Sequence, residues 1–594
     1  MYLKKSLFLI FVLILFLSNL NAETTNRLDF DAIKTKAIDV DINVEYPIVI
    51  KSYAEGDSLI FKTPIPFNSR NQKVETETYY FNKIGEKIKG EIEEDEFGNS
   101  IAIFNIENIE LNKYVFYINS NVKSENKIIL NNDVFDLTED INDFIDYKLP
   151  SRNIQSDKSE IISLVNMIKQ SNNSLEEVVN ITNWVHQNID YDLEYANSVE
   201  DSLTVLSNRA GVCDEFANLA AALLRARGFP VRYVSGYANS TLNWETHAWL
   251  EVYIPGQDWI SVDPTYGEVG FVDASHIVIS RSYDLTDVKD QIIGSSTLKP
   301  LFGEKINNFK INSQKNYADS GYLNVLNVNL ISEKKYKQDS AFTITVKVKN
   351  TNINPLTNLF ILRTNNDFVQ IYPKYSEVII YLEPMQEKEL VYYYILPKNT
   401  NPMSYPYILA TQFTDYESHV NVYPNEGIYE EAFFVLDPIF YFKENNLFID
   451  QDIINHTKNN KELILDFNVN GSLLNQKILI EPQKIYNLNK EFNSFLEGTF
   501  SYKISGDYDF YKSFQFYADE IIFDQNDTNV SKEDNLIVDN NKVIVDSNFW
   551  KDLENKNIQN KEVYINKHII YILSILFLIG IILILLLKKK KKGI

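Results

Sequence analysis

A single cysteine among 594 residues rules out an internal disulfide and leaves one thiol, Cys213, to explain. A solitary thiol is most often a small buried hydrophobe. The surroundings of this one point elsewhere. Cys213 stands in Gly211-Val212-Cys213-Asp214-Glu215-Phe216, followed by apolar residues at Leu219, Ala220, Leu223 and Leu224, then by Gly228 where a helix would stop. The pattern predicts an amphipathic helix of about four turns with Cys213 at its N-terminus. Free backbone N–H groups and the positive end of the helix dipole stabilise a thiolate at such a position. Asp214 and Glu215 are anionic and oppose it, so most of the activation must come from a histidine.

Two further segments supply candidates. Glu245 to Ile254 reads as a strand carrying His247, and Asp258 to Thr265 as a second strand carrying Asp263, joined by Pro255-Gly256-Gln257 into a hairpin. Singly, His247 is as readily a core histidine and Asp263 a strand-ending residue before Pro264. Their register decides whether they can meet, because side chains alternate faces with a period of two. A two-residue loop would pair Pro255 with Asp258 and turn Asp263 to the face opposite His247. A three-residue loop pairs Ile254 with Asp258, so that opposed residue numbers share an even sum. Asp263 then lies diagonal to His247 on one face, within reach of a hydrogen bond.

The ordered string of motifs resembles the transglutaminase-like superfamily. It comprises Gly211 to Ala217, Leu223 to Tyr237, His247-Ala248-Trp249-Leu250-Glu251-Val252-Tyr253 and Trp259-Ile260-Ser261-Val262-Asp263-Pro264-Thr265, preceded by Trp184-Val185-His186 and Ile189-Asp190-Tyr191. The resemblance implies a nucleophile at Cys213, a general base and acid at His247, and an orienting carboxylate at Asp263. It implies a thioester intermediate formed from an amide, with water or an amine as acceptor, and the backbone N–H of Cys213 as one oxyanion donor. Trp244 could line the acyl-substrate groove or simply pack in its loop. No cofactor is expected. No Cys/His cluster has zinc-ligand spacing and no acidic loop has a calcium motif, so no metal is expected either. His186 and His276 read as structural, and His419, His456 and His568 lie outside the region.

The elements that position these residues differ from the rest of the chain. From Lys158 to about Leu285 apolar residues recur at helical spacing, and four of the five tryptophans fall there. Residues up to Leu149 read as strands, as do those from about Gly321 to Pro438, where Phe342 to Val348 alternates cleanly. The expected fold is therefore multidomain, with an α+β transglutaminase-like (papain-like) core at 155–295. It is flanked by an N-terminal β-rich domain at 23–150, an immunoglobulin-like β-sandwich at 320–438 and a small β domain at 440–517.

The ends suggest a location. Residues 1–22 have the layout of a secretory signal peptide, with Lys4 and Lys5 before an apolar run. Residues 518–566 read as an acidic polar stalk, 567–588 as one C-terminal transmembrane helix and 589–594 as a lysine-rich cytoplasmic tail. The expectation is a single-pass protein of the cell membrane with its N-terminus outside, acting on a protein or peptide substrate. The net charge of -24 argues against nucleic acid as a partner. The rival expectation is a catalytically silent surface module for peptide or polymer binding and adhesion. Seven Asn-x-Ser/Thr triplets, Asn172, Asn180, Asn239, Asn455, Asn470, Asn526 and Asn529, permit glycosylation without requiring it.

Overall fold

The computed structural model describes residues 34–522, apart from 127–141, 197, 240–243, 318–324, 333–334, 367, 374, 424–431, 437–438, 444–445, 470–471, 483, 493–497, 507–509 and 517–520. The expected signal peptide, transmembrane helix and cytoplasmic tail, and nearly all of the expected stalk, lie outside the described residues. Among the described residues no helix is long and apolar enough to cross a membrane.

The N-terminal β domain consists of two sheets facing one core. The strand Thr35–Ile50 alternates buried and part-exposed residues along most of its length, and it pairs with Lys113–Glu125 over thirteen positions. Phe61, Phe104 and Phe116 meet in the core with ring centroids 4.7 to 5.9 Å apart. Residues 23–150 do not complete this domain. Gln291–Gly294 pairs with Leu59–Ile65, while Pro300–Phe302 and Ile306–Asn316 both pair with Thr35–Ile50. The expected boundary at 295 is thus corrected: the chain returns from the core to close the first domain. Ile306–Asn316 is exposed along nearly its whole length, so it lacks the apolar alternation that marks a strand in sequence.

The inserted core is α+β. Four helices, Ser159–Met167, Ser174–Asn188, Ser202–Asn208 and Cys213–Ala226, stand against an antiparallel sheet. Its strand order is Glu268–Val269, Asp258–Asp263, Trp244–Ile254, Val231–Asn239, Ile277–Ser282. The helix Cys213–Ala226 buries Ala217, Ala220, Ala221, Leu223 and Leu224, in one apolar cluster with Ala248, Leu250 and Val252 of the sheet. The small alanines let the helix lie close to the strand that carries His247.

Two sandwiches follow. Leu326–Ile331, Ala341–Asn350, Glu387–Ile395 and Val369–Tyr372 form one sheet; Tyr336–Lys337, Asp415–Tyr423, Ser404–Ala410, Leu356–Arg363 and Glu377–Leu382 form the facing one. Ile344, Val346, Phe360, Leu382 and Tyr392 fill the space between. The second sheet is covered on its other side as well. Leu359, Ile361, Ile379 and Tyr381 belong to the apolar cluster of the α+β core, which explains why Leu356–Arg363 is buried at every position but the last. A second sandwich begins at Ala432–Val435 and includes Ile521–Ile522, so it extends beyond the expected limits of 440 and 517.

The two sandwiches share one local device. The Asn350 side-chain amide donates to the carbonyls of Asn354, Leu382 and Glu383, and its oxygen accepts from the Asn352 backbone. Asn455 repeats this with the carbonyls of Asn459, Ile480 and Glu481 and the Thr457 backbone. Both asparagines are fully buried. Asn455 is therefore closed to glycosylation in the folded protein, whereas Asn172 is exposed.

Candidate active site

Cys213 is the first residue of its helix, and Val212 before it is extended. The entry is fixed by Glu215, whose carboxylate accepts the backbone N–H of Val212 at 2.8 Å and that of Glu200 at 2.9 Å. Gly211 is required there, because a Cβ would collide with the Glu215 side chain. The thiol is half-buried and lies 3.8 Å from Asp214 Oδ1. Burial first, and then the Asp214 carboxylate, push the Cys213 thiol well up; the backbone N–H of Ala248 favours the thiolate but does not offset them.

His247 comes from the neighbouring strand, one residue before the Ala248 that bonds the sulfur. Its Nε2 is 2.6 Å from Asp263 Oδ2, so Nδ1 is the ring nitrogen not engaged by that carboxylate. The imidazole stacks on Tyr266 at 4.7 Å and on Trp249 at 5.9 Å between centroids. Gly236 pairs with His247 across the sheet, and a Cβ there would strike the Ile277 carbonyl and come within 2.7 Å of the Trp249 ring.

The hairpin has the three-residue loop. Ile254 pairs with Asp258 and Leu250 with Val262, a shared sum of 512, with Gly256 and Asp258 in the left-handed region. Continuing that register sets Asp263 diagonal to His247 on one face, as their hydrogen bond requires. Asp263 is fully buried and saturated: Oδ1 accepts the backbone N–H groups of Thr265 and Tyr266 at 2.8 and 2.9 Å. Burial alone would make it a weaker acid, but His247, and then His276, hold the carboxyl well below the usual carboxylate range.

His276, which reads as structural in sequence, shares that carboxylate. Its Nε2 is 3.1 Å from Asp263 Oδ2, the same oxygen that His247 contacts. Its Nδ1 is 3.2 Å from Asp273 Oδ2 and 4.0 Å from Glu268 Oε2, all of them buried. The only sequence signal is the acidic and histidine content of an otherwise buried run, Glu268 to His276, which no periodicity marks. His186 is buried and its Nδ1 lies 3.1 Å from the Pro264 carbonyl, a structural position beside the hairpin end. Trp244 stacks on Phe309 at 5.1 Å and joins the N-terminal domain's apolar cluster, so of its two open roles the structure displays packing.

Sequence spacing offers no metal set, yet among the described residues two clusters gather: His247 with Asp263 and His276, and Glu268 with Asp273 and His276, each with ligand atoms within 4.8 Å. Neither fits an ion well. Two ligands of one tetrahedral zinc stand about 3.3 Å apart, wider than the 2.6 Å between His247 and Asp263. In the second set His276 Nδ1 lies 3.2 Å from the Asp273 backbone carbonyl, so it is placed to donate there rather than to offer a lone pair to a metal.

Residues 163–264 match the family model of the transglutaminase-like superfamily. Over 81 residues the chain is 41% identical to a protein-glutamine gamma-glutamyltransferase of Pseudomonas aeruginosa, 12% of this chain and 12% of that protein. It is 40% identical over 97 residues to an uncharacterized protein of Mycobacterium tuberculosis strain H37Rv, 14% of this chain and 30% of that protein. A solved structure of a candidate cysteine protease from Cytophaga hutchinsonii is similar at 23% identity and a TM-score of 0.38, covering 47% of this chain and 92% of that one. A transglutaminase-like domain thus occupies the α+β core of a largely β-rich chain. The chain spans well under two thirds of the length of these curated relatives.

Proposed function

We propose that the protein is a thiol enzyme acting on amide bonds of a protein or peptide, with Cys213 as nucleophile, His247 as base and acid, and Asp263 as orienting carboxylate. The observation that carries this reading is the 2.6 Å bond from His247 Nε2 to a buried, saturated Asp263, beside the helix that begins with Cys213. It fixes the tautomer that leaves the Nδ1 lone pair available to the thiol. His247 Nδ1 takes the thiol proton while sulfur attacks the amide carbonyl carbon. The C–N bond then breaks, the departing amine receives that proton, and a thioester to Cys213 remains. Water or a second amine, deprotonated by His247, attacks the thioester and returns the thiol. The backbone N–H of Cys213 is one donor to the oxyanion.

The reading extends to place. The signal-like start, the apolar run Ile569 to Leu587 and the lysines that follow it favour an ectodomain held outside the membrane.

The test is a casein substrate offered with a fluorescent primary amine, followed both for peptide release and for amine incorporation. Either activity should vanish in Cys213→Ala and in His247→Ala. Full turnover by Cys213→Ala would remove the nucleophile. Absence of both activities in the wild type would favour the silent binding module, for which the raised thiol of Cys213 speaks.

A further inference from the structure

The second histidine on Asp263 has no part in the reaction just described, and its surroundings are unusual. Each nitrogen of His276 faces acceptor oxygens: Nε2 lies 3.1 Å from Asp263 Oδ2, and Nδ1 lies 3.2 Å from the Asp273 backbone carbonyl and 3.2 Å from Asp273 Oδ2. Glu268 Oε2 is 4.0 Å from Nδ1 and accepts the Asp273 backbone N–H at 3.1 Å. Asp273 is fixed in turn, since its Oδ1 accepts from the Ser275 backbone at 2.8 Å and from the Ser275 hydroxyl. Three rings pack against it, those of His247, Trp249 and Tyr266, with centroids 5.5, 5.2 and 5.4 Å away. His276 and all three carboxylates are buried from solvent. A neutral imidazole has one N–H and would set a lone pair against an acceptor oxygen at one end; the cation donates at both ends, to Asp263 Oδ2 and to the Asp273 carbonyl.

We propose that His276 is a permanently doubly protonated positioning residue, a buried cation that locks the Asp263 carboxylate and limits how strongly it can favour the protonated form of His247. This rests on the proposed triad. Asp273 and Asp263 are foremost in raising the proton affinity of His276 by more than burial lowers it, while burial, and then Asp273, push the Glu268 carboxyl itself well up. Its charge lies 5.5 Å from the His247 ring and opposes protonation there. Asp263 Oδ2 shares itself between the two rings, so the strength of one bond is set against the other. The consequence is a catalytic base that stays neutral, and therefore competent, to lower pH than an Asp–His pair alone would permit.

The test is the pH profile of Cys213 acetylation by p-nitrophenyl acetate, read as nitrophenolate release and as acetyl mass on the Cys213 peptide. His276→Gln keeps one donor for Asp263 and removes the charge. Its acid limb should move up by about one pH unit, since like charges at this range shift titrations by that order, while the plateau rate changes far less. An equal loss of rate at every pH, with the limb unmoved, would make His276 merely structural and overturn the proposal. Because the variant could fold poorly, the wild-type full chain provides a second measurement. In nitrogen-15 spectra of histidine-labelled protein, assigned by comparison with His276→Gln or with the Cys213→Ala background, one buried ring should keep both N–H protons from pH 5 to 9. Loss of a proton from that ring near pH 6.5 would refute the permanent cation. If Cys213 were not acetylated at all, the triad reading would fail while the spectra still judged His276.

Discussion

At the scale of the residue, the site is an arrangement of charges as much as a set of reactive atoms. Asp263 accepts four hydrogen bonds and remains ionised although buried. Asp263→Asn should keep the backbone contacts at Oδ1, yet its amide would set a donor against the His247 ring and favour the wrong tautomer. We expect turnover to fall by about 10³ to 10⁴ with little change in KM, measured on the casein assay. Glu251 gives a pH prediction of defined sign. Burial would raise its carboxyl, but Arg281 and Arg232 bring it down to about 2. A carboxylate with a depressed folded-state value contributes stability above its ordinary value, near 4.3, and loses it as pH falls towards 2. Thermal melts should therefore show the core losing stability from about pH 4.5 to pH 2, and Glu251→Gln should flatten that slope. Cys213, His247 and Asp263 could be proposed from sequence because each sits in a short motif on a local element. His276 could not, because what gives it meaning is a loop that folds back on Asp263.

At the scale of the element, the hairpin was legible and the long-range pairings were not. Loop length and strand alternation decide register within a hairpin, so the diagonal of His247 and Asp263 follows from local rules alone. Ile306–Asn316 shows the contrary case: an exposed strand at a sheet edge is held by its partner's backbone, which no side-chain pattern records. Gly236 belongs to the legible positions only after the fold is known. Gly236→Ala should separate Val231–Asn239 from Ile277–Ser282 and displace the strand bearing His247, lowering activity more than tenfold if the protein folds. The paired asparagine knots predict a matched result. Asn350→Ala and Asn455→Ala each remove the donor to three carbonyls, and each should cost about 2 to 3 kcal/mol, seen as a lowered midpoint in urea. An effect below half a kilocalorie in either would show that water replaces the knot.

At the scale of the whole molecule, the described chain is an enzyme-like core inserted in one β domain and backed by a sandwich. Composition marked the core, since helices and tryptophans concentrate there, but it placed the domains as consecutive beads. The shared apolar surface between Ser174–Asn188 and Glu377–Leu382 was hidden, because a strand buried on both faces loses the alternation that reports its orientation. The topology proposed from the two ends makes one prediction for cells. Protease added outside should remove the ectodomain and leave only a fragment near Ile569 to Ile594; a fully protected ectodomain would place the site inside instead.

The central claim, that Cys213 is a nucleophile served by His247, is tested most directly by acyl capture. The full chain is mixed with p-nitrophenyl acetate near pH 7.5, and the Cys213 peptide is weighed against time, in the wild type and in His247→Ala. The account predicts one acetyl group on Cys213 and a capture rate that falls by about 10² to 10⁴ without the histidine. An unmodified Cys213, or the same rate with and without His247, would contradict it.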